Sequence, residues 1–336
     1  MKPNKQKNHV TSTSAGQDTL HAAEQVLGSS HPEVAMARNN LAVTYYAEGK
    51  YAEAEKLLED VVLFWEQAHS THHLDLAASL SNLAEVHRAR EQFGLAATLF
   101  ARALAICEKA LGPDHPDVAT SLHNLASVYR DQKKYAQAEQ FLRRALEITE
   151  KAVGADHADV ATCLNNLAEM YRAQAQHEMA ASLLARALAI NKEALGPDHP
   201  DVATNLNNLA LLYLAEKQYA KAKPLLQRAL AISKKNLGAN HPDVATSLHN
   251  LAAIYSGQAQ YARAERLYKL SLKINEKTLG LSHPAVARIL KSLATLYRKT
   301  QQPNAARLLE KRASRIFCSA ARQFACRSCL ERSDSP

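Results

Sequence analysis

The stretch GPDHPDVAT decides the fold. It occupies residues 112–120 and returns unchanged at 196–204, and a near copy, GANHPDVAT, occupies 238–246. The copies lie 84 and 42 residues apart. A fixed period of this size indicates an array of structural repeats rather than two separate globular domains.

A histidine marks each repeat, every 42 residues and without an insertion. The seven histidines are His31, His73, His115, His157, His199, His241 and His283. Proline follows five of them, whereas Leu74 and Ala158 take its place in the other two. A tetrapeptide similar to NNLA begins eight residues after each histidine. The repeats therefore share one register.

Each repeat predicts two helices joined by a short polar break. In the third repeat, Pro116 and Asp117 suit the start of a helix, because proline has no N–H to leave unpaired there and a carboxylate complements the helix dipole. Apolar residues then follow at helical spacing: Val118, Leu122, Leu125, Ala126 and Tyr129. A second helix is predicted from about Tyr135 to Gly154, since glycine commonly ends a helix.

One such pair of helices cannot bury both of its apolar faces, but stacked neighbours can. The sequence therefore predicts an all-α protein, an α-solenoid of seven 42-residue helix-turn-helix units. The repeats are placed at about 31–72, 73–114, 115–156, 157–198, 199–240, 241–282 and 283–316. A single solenoid would span 17–316, with a partial cap helix at 17–28. Residues 1–16 are predicted to be a disordered basic tail, and 317–336 a Cys-containing basic tail or capping helix.

The order of large and small residues in each unit resembles the tetratricopeptide repeat (TPR). In the third repeat it consists of Leu125, Ala126, Tyr129, Tyr135 and Ala138. The 42-residue period and the helix starts similar to HPDVATSLNNLA resemble the kinesin light chain subclass. The resemblance covers about 17–316 and implies a right-handed superhelix that binds a peptide or a partner segment in its concave groove.

The resemblance also implies which side chains line that groove. In related proteins the second asparagine of NNLA commonly contacts the peptide backbone. This second asparagine position holds Asn40, Asn82, Asn124, Asn166, Asn208 and Asn250, and Ser292 in the last repeat. An amide has two donors and two acceptor lone pairs, so a ladder of amides suits an extended backbone. The alternative is that these asparagines bond between adjacent helices and hold the curvature.

Neighbouring positions are predicted to supply specificity. The residue before the ladder, called here the first asparagine position, is His123, Asn165, Asn207 or His249 in the third to sixth repeats. Glu85 and Glu169 lie three residues after the ladder, and Arg288 and Lys291 make the last repeat basic. Only fragments of a two-carboxylate clamp are present, so chaperone C-termini are not predicted as ligands.

Net charge and composition exclude several classes of protein. The chain has 336 residues and a net charge of +8, but residues 1–16 contribute +3 and residues 298–336 contribute +6. The remainder is close to neutral, which disfavours nucleic acid as a partner. No apolar run is long enough to span a membrane, so no membrane partner is predicted. The odd number and the spacing of the five cysteines do not predict a disulfide framework, and a cytoplasmic location is predicted.

Three features invite a more specific interpretation. The histidine ladder cannot share a metal ion, because packed helices lie about 10 Å apart and zinc ligands need about 2.1 Å; a role at helix starts is predicted, with no metal and no cofactor. The CRSC stretch at 326–329 is interpreted as a feature of the tail. Trp65 is expected to shield the irregular second junction rather than to act as a hot spot for a partner.

No catalytic motif is present, so the chain is not predicted to be an enzyme. The leading hypothesis is a protein-interaction scaffold or adaptor that binds a peptide in the groove. The alternative is a structural spacer or a self-associating solenoid that acts through its ends, with weak homo-association and no groove ligand.

Overall fold

The computed structural model describes the backbone of residues 11–68 and 73–330 and the side chains of 13–68 and 74–316. These residues form fifteen helices and no strand. The helices are α1 Thr11–Leu27, α2 Pro32–Ala47, α3 Tyr51–Gln67, α4 His73–Ala89, α5 Phe93–Leu111, α6 Pro116–Asp131, α7 Tyr135–Val153, α8 Ala158–Ala173, α9 His177–Leu195, α10 Pro200–Ala215, α11 Tyr219–Leu237, α12 Pro242–Gly257, α13 Tyr261–Leu279, α14 Pro284–Lys299 and α15 Pro303–Leu330. The predicted all-α solenoid is confirmed. No helix in the described part of the chain is long and apolar enough to cross a membrane.

The chain divides into two compact units, unit 1 (Met1–Ile148) and unit 2 (Thr149–Pro336). In both units a helix packs against helices that are next or next but one in chain order. Leu58, Leu80 and Phe100 are fully buried in the core of unit 1. Ile254 and Leu290 are equally buried in unit 2. In each repeat the even-numbered helix comes first, and these helices are called the first helices below.

The histidine that opens a repeat is a helix N-cap. Its Nδ1 accepts a hydrogen bond from the backbone N–H two residues further on, at 3.1 to 3.3 Å. The six described cases are His31, His115, His157, His199, His241 and His283. Each bond satisfies an N–H group that the start of a helix leaves unpaired. The predicted role at helix starts is therefore confirmed; the side chain of His73 lies outside the described residues.

Two alanine positions in each repeat allow the helices to approach closely. Every one of these alanines is at most 1% exposed. They are Ala42, Ala84, Ala126, Ala168, Ala210, Ala252 and Ala294 on the first helices, and Ala54, Ala96, Ala138, Ala180, Ala222, Ala264 and Ala306 on the second. Because protein interiors are packed as densely as organic crystals, a larger side chain at these positions would push the helices apart.

The N-terminal end of the array differs from the predicted boundary. Helix α1 begins at Thr11, so the end of the segment predicted to be disordered is helical, and the cap starts before Gln17. Thr13 in this extra length bonds to Glu48, the residue that follows α2, and Gln17 donates to the Tyr45 hydroxyl on α2 at 2.8 Å. At the other end, α15 continues to Leu330, while the side chains of 317–336 lie outside the described residues.

Trp65 belongs to the core of unit 1. Its side chain is 6% exposed, and its ring meets that of Phe64 edge-on at 4.8 Å between centroids. The indole is therefore not presented to a partner. Of the junction it is predicted to shield, residues 68–75, the stretch 69–72 lies outside the described residues.

Two helical glycines test how tightly the repeats fit. A Cβ added at Gly257 would lie 2.6 Å from Cζ of Tyr219, whereas one added at Gly94 would meet nothing within 4 Å. We expect Gly94→Ala to raise the free energy of unfolding by about 0.5 kcal/mol, because alanine is the better helix former. Gly257→Ala is expected to lower the free energy of unfolding by about 1 kcal/mol, because the clash of the added methyl group with Tyr219 outweighs the gain in helix propensity. Urea denaturation would measure both; equal stabilisation by the two variants would show that the contact with Tyr219 imposes no constraint.

Candidate functional site

A cleft lies in unit 2 where the first helices of the fourth and fifth repeats, α8 and α10, meet. It is lined by Asn165, Ala168, Glu169, Arg172, Leu184, Asn208 and Leu211. The structure thus brings together three predicted groove residues, Asn165, Glu169 and Asn208. The lining combines two amides, an acid, a base and three apolar side chains, so it offers both hydrogen-bonding groups and apolar surface.

The charges in the cleft form a pair. Arg172 Nη2 lies 3.2 Å from Glu169 Oε1, one helical turn away on α8, and both side chains are exposed. The pair keeps the cleft close to neutral. Arg172 is not among the predicted groove residues, although its position three residues after Glu169 on a predicted helix is the spacing of an ion pair.

Three asparagines join the helices behind the cleft. Asn205 Oδ1 accepts hydrogen bonds from Asn165 Nδ2 at 3.2 Å and from Asn191 Nδ2 at 3.3 Å, which ties α8, α9 and α10 together. Asn191 and Asn205 are 3% and 1% exposed. Three buried atoms of this trio have no partner among the described residues: Asn165 Oδ1, Asn191 Oδ1 and Asn205 Nδ2. Asn165, which lines the cleft, therefore holds a buried acceptor with unused hydrogen-bonding capacity.

Bonds of the same kind connect other first helices. In unit 2, Asn207 Nδ2 donates to Ser247 Oγ at 3.1 Å, which joins α10 to α12. In unit 1, Asn82 Nδ2 donates to Asn39 Oδ1 at 3.0 Å, which joins α4 to α2. The alternative of bonding between adjacent helices is thus realised at Asn82. In the fourth and fifth repeats the bond to the next first helix is made by Asn165 and Asn207, which occupy the first asparagine position.

A buried polar residue recurs at one position of the second helices and was not predicted as a structural feature. It is the equivalent of Trp65 in later repeats, and each of its members is at most 8% exposed. They are Cys107, Thr149, Asn191, Ser233 and Asn275. Ser121 donates to Cys107 Sγ at 3.6 Å, and Cys163 donates to Thr149 Oγ1 at 3.4 Å. The sequence signal for this position was a polar residue within the otherwise apolar face of the predicted second helix.

The remaining predicted groove residues have varied surroundings. In unit 1, Asn40 is exposed and Asn124 half-buried. Glu85 pairs with Arg88 at 2.9 Å, and Arg88 also reaches Asp131 on α6 at 2.9 Å. The acid at Glu85 is therefore already neutralised within the protein.

In unit 2, Asn166 is half-buried, and Arg288 and Lys291 are exposed. Asn250 is only 6% exposed, which leaves little of its amide accessible to a ligand. Contact between a ligand and any of these groove residues stays a prediction.

Two histidines at the first asparagine position are held neutral. Burial lowers the pKa of His123 in unit 1 to about 4. Burial, together with the charge of Arg288, lowers the pKa of His249 in unit 2 to about 4. The His249 ring packs edge-on against Tyr268 at 5.2 Å between centroids. These side chains fill space between helices and carry no charge near neutral pH.

Models of the tetratricopeptide repeat match the chain in overlapping windows at 4–67, 33–109, 75–151, 124–193, 159–235, 201–277 and 243–319. The chain belongs to the tetratricopeptide repeat family. It is also similar to a kinesin light chain-like protein of Podosopora anserina with nearly identical TPR-like repeats, at 30% identity and a TM-score of 0.50, over 62% of this chain and 99% of that one. The kinesin light chain-like type of TPR is therefore confirmed.

Two more distant structures share only the fold. BtubC from P. vanneervenii is 24% identical, with a TM-score of 0.57 over 69% of this chain and 93% of its own. A Rap protein complexed with competence and sporulation factor is 15% identical, with a TM-score of 0.64 over 96% of this TPR chain and 90% of its own. No curated protein matches the chain significantly.

The asparagine trio gives a stability test. Asn205→Ala removes the shared acceptor and leaves the donors of Asn165 and Asn191 unpaired, so we expect the free energy of unfolding to fall by about 1–3 kcal/mol. Replacing both buried members, Asn191→Leu with Asn205→Leu, removes most of the unpaired groups together and is expected to cost less. Urea denaturation compares the two; a larger loss in the double variant would contradict a structural role based on hydrogen bonding.

The half-buried His123 and His249 give the TPR array a dependence on pH. An unfolded histidine has a pKa of about 6.5, whereas His123 and His249 have a folded pKa of about 4. Between these values the unfolded chain binds protons that the native state does not, so stability falls as the pH is lowered, by about 1.4 kcal/mol per pH unit for each histidine. Above pH 6.5 both histidines are neutral in the folded and in the unfolded chain, so neither contributes to the pH dependence of stability.

Urea denaturation between pH 7.5 and 4.5 would measure this slope. We expect the double variant His123→Gln with His249→Gln to flatten it, while the control His21→Gln on the exposed side of α1 leaves it unchanged. A slope that survives in the double variant would assign the pH dependence to other groups.

Proposed function

We infer that this TPR protein is an interaction scaffold that binds an extended peptide segment of a partner in the unit 2 cleft. The family supports the general role, because TPR arrays serve protein interactions. The observation that carries the specific proposal is the cleft itself, where the amides of Asn165 and Asn208 from successive repeats lie beside apolar side chains.

The chemistry of the cleft suits a peptide backbone. Asn165 Oδ1 has no partner among the described residues but is buried, so a peptide N–H would reach it once the Asn165 side chain turned toward the cleft. Asn208 supplies a second amide, half-buried and one repeat further along. An unpaired buried acceptor is unfavourable in the free protein, so supplying a donor adds to the affinity.

The other lining residues define what kind of side chain the peptide carries. Leu211 is partly exposed and offers an apolar contact, while Ala168 and Leu184 lie almost fully buried beneath it. The Glu169–Arg172 pair at 3.2 Å adds a polar border without net charge. The ligand class is therefore an extended segment with a small apolar residue and no requirement for strong charge, bound mainly through its backbone.

A peptide library displayed on phage and selected against the full chain tests the proposal. An enriched peptide is labelled, and its Kd is measured by fluorescence anisotropy. Asn208→Ala is expected to weaken binding about 5- to 10-fold, the equivalent of one hydrogen bond, and Leu211→Asp by more, because it places a charge at the apolar contact. Asn40→Ala, at the same repeat position in unit 1, is the matched control and should not change the Kd.

Two results would contradict the proposed function. Enriched peptides that bind both cleft variants as tightly as the native chain would place binding elsewhere. Selection that enriches no peptide above an unrelated folded helical protein would remove the peptide-binding role.

A further inference from the structure

The charge of the repeats is segregated along the chain. Residues 217–316 contain nineteen Lys or Arg and four Asp or Glu, a net charge of +15. Residues 17–216 contain sixteen Lys or Arg and twenty-seven Asp or Glu, a net charge of −11. The near-zero charge of residues 17–297, from which the absence of a nucleic-acid partner is predicted, thus combines −11 at 17–216 with +10 at 217–297.

Much of the positive charge lies on the exposed side of the second helices of unit 2. On α13, exposed basic residues recur at each turn, at Arg266, Lys269, Lys273 and Lys277. Spacings of three or four residues keep them on one face, and the row extends about 16 Å along the helix axis.

A second row lies beside the first. Lys311 and Arg315 on α15 occupy the same repeat positions as Lys269 and Lys273, one repeat later, and both are exposed. Arg312 on α15 forms an ion pair with Glu276 on α13 at 2.6 Å, so the outer faces of the two helices adjoin. The six residues Arg266, Lys269, Lys273, Lys277, Lys311 and Arg315 are called the α13–α15 basic surface.

The acids on these helices do not neutralise this surface. Glu276 is paired with Arg312, and Glu310 with Arg298 on α14 at 2.8 Å. Glu265 is shared between Lys269 at 2.7 Å and the Tyr297 hydroxyl at 2.8 Å. Of the six basic residues only Lys269 is therefore engaged by an acid among the described residues, and an exposed pair of this kind contributes little stability and exchanges readily.

We propose that the α13–α15 basic surface binds the phosphate backbone of double-stranded nucleic acid without sequence specificity. Two adjoining rows of cations, one per helical turn, complement the regular negative charge of a duplex. Neither row contains an aromatic side chain on which unstacked bases could rest, so the chemistry favours a duplex over a single strand. Lysine and arginine contacts to phosphate position a protein on nucleic acid but carry no sequence information.

This site is separate from the peptide cleft. The cleft is formed mainly by α8 and α10, whereas the basic surface belongs to α13 and α15. The inference does not rest on the proposed peptide-binding function, and it departs from the prediction that nucleic acid is not a partner.

The test is fluorescence anisotropy of a labelled 20-base-pair DNA duplex of mixed sequence with the full chain at several salt concentrations. With about five phosphates contacted, log K should fall with log[salt] with a slope of about −4.5, so binding weakens about 500-fold between 50 and 200 mM salt. The triple variant Lys269→Gln, Lys273→Gln and Lys311→Gln should reduce the slope to about −2 and weaken binding at 50 mM at least tenfold.

A matched variant controls for the loss of total charge. Lys56→Gln, Lys109→Gln and Lys151→Gln change three exposed lysines on the second helices of other repeats and should leave the slope close to that of the native chain. Circular dichroism confirms that both triple variants keep the helical content of the native chain. A second duplex of different sequence should bind with the same Kd.

Three outcomes would overturn the proposal. The first is no binding of the duplex at 50 mM salt. The second is an equal slope in the two triple variants, which would show that the α13–α15 basic surface is not where the phosphates bind. The third is that poly-glutamate binds more tightly than the duplex and that the Lys269, Lys273 and Lys311 triple variant no longer binds it. This result would assign the surface to an acidic protein partner.

Discussion

The requirement that each pair of helices bury its apolar faces against the next pair is the constraint on which the structure depends. Two alanines per repeat, at most 1% exposed, bring the helices close enough for this packing. Each histidine N-cap then starts the next helix at a defined residue. These contacts recur every 42 residues, so each junction between repeats has the same packing requirements. The same nine-residue sequence therefore satisfies them in more than one repeat.

Hydrogen bonds between asparagines add a second kind of contact, one that leaves polar capacity unused. The Asn165–Asn205–Asn191 trio ties three helices together and still contains three buried atoms without a partner in the described part of the chain. Apolar side chains at these positions would have packed the three helices together without leaving polar atoms unpaired. Under the proposed function this incomplete pairing supports binding, since a site that recognises a peptide backbone needs groups that the protein itself does not satisfy.

The two proposed surfaces use different physical interactions. The cleft is small and close to neutral, and it depends on directional hydrogen bonds with a few apolar contacts. The α13–α15 basic surface depends on charge, which acts over longer distances and is screened by salt. An array of repeats allows both on one chain, because the first and second helices of each repeat vary independently outside their buried positions.

The sequence by itself determined the repeat period, the helix starts and the family, because these depend on local chemistry and on spacing along the chain. Only the tertiary structure decided which asparagine of a neighbouring pair bonds to the next helix and which lines the cleft. Successive residues on a helix point about 100° apart, and the partners of Asn165 and Asn207 lie 40 residues away. The burial of Asn250 and the alignment of Lys269 with Lys311 likewise depend on how neighbouring repeats pack, which spacing along one helix does not specify.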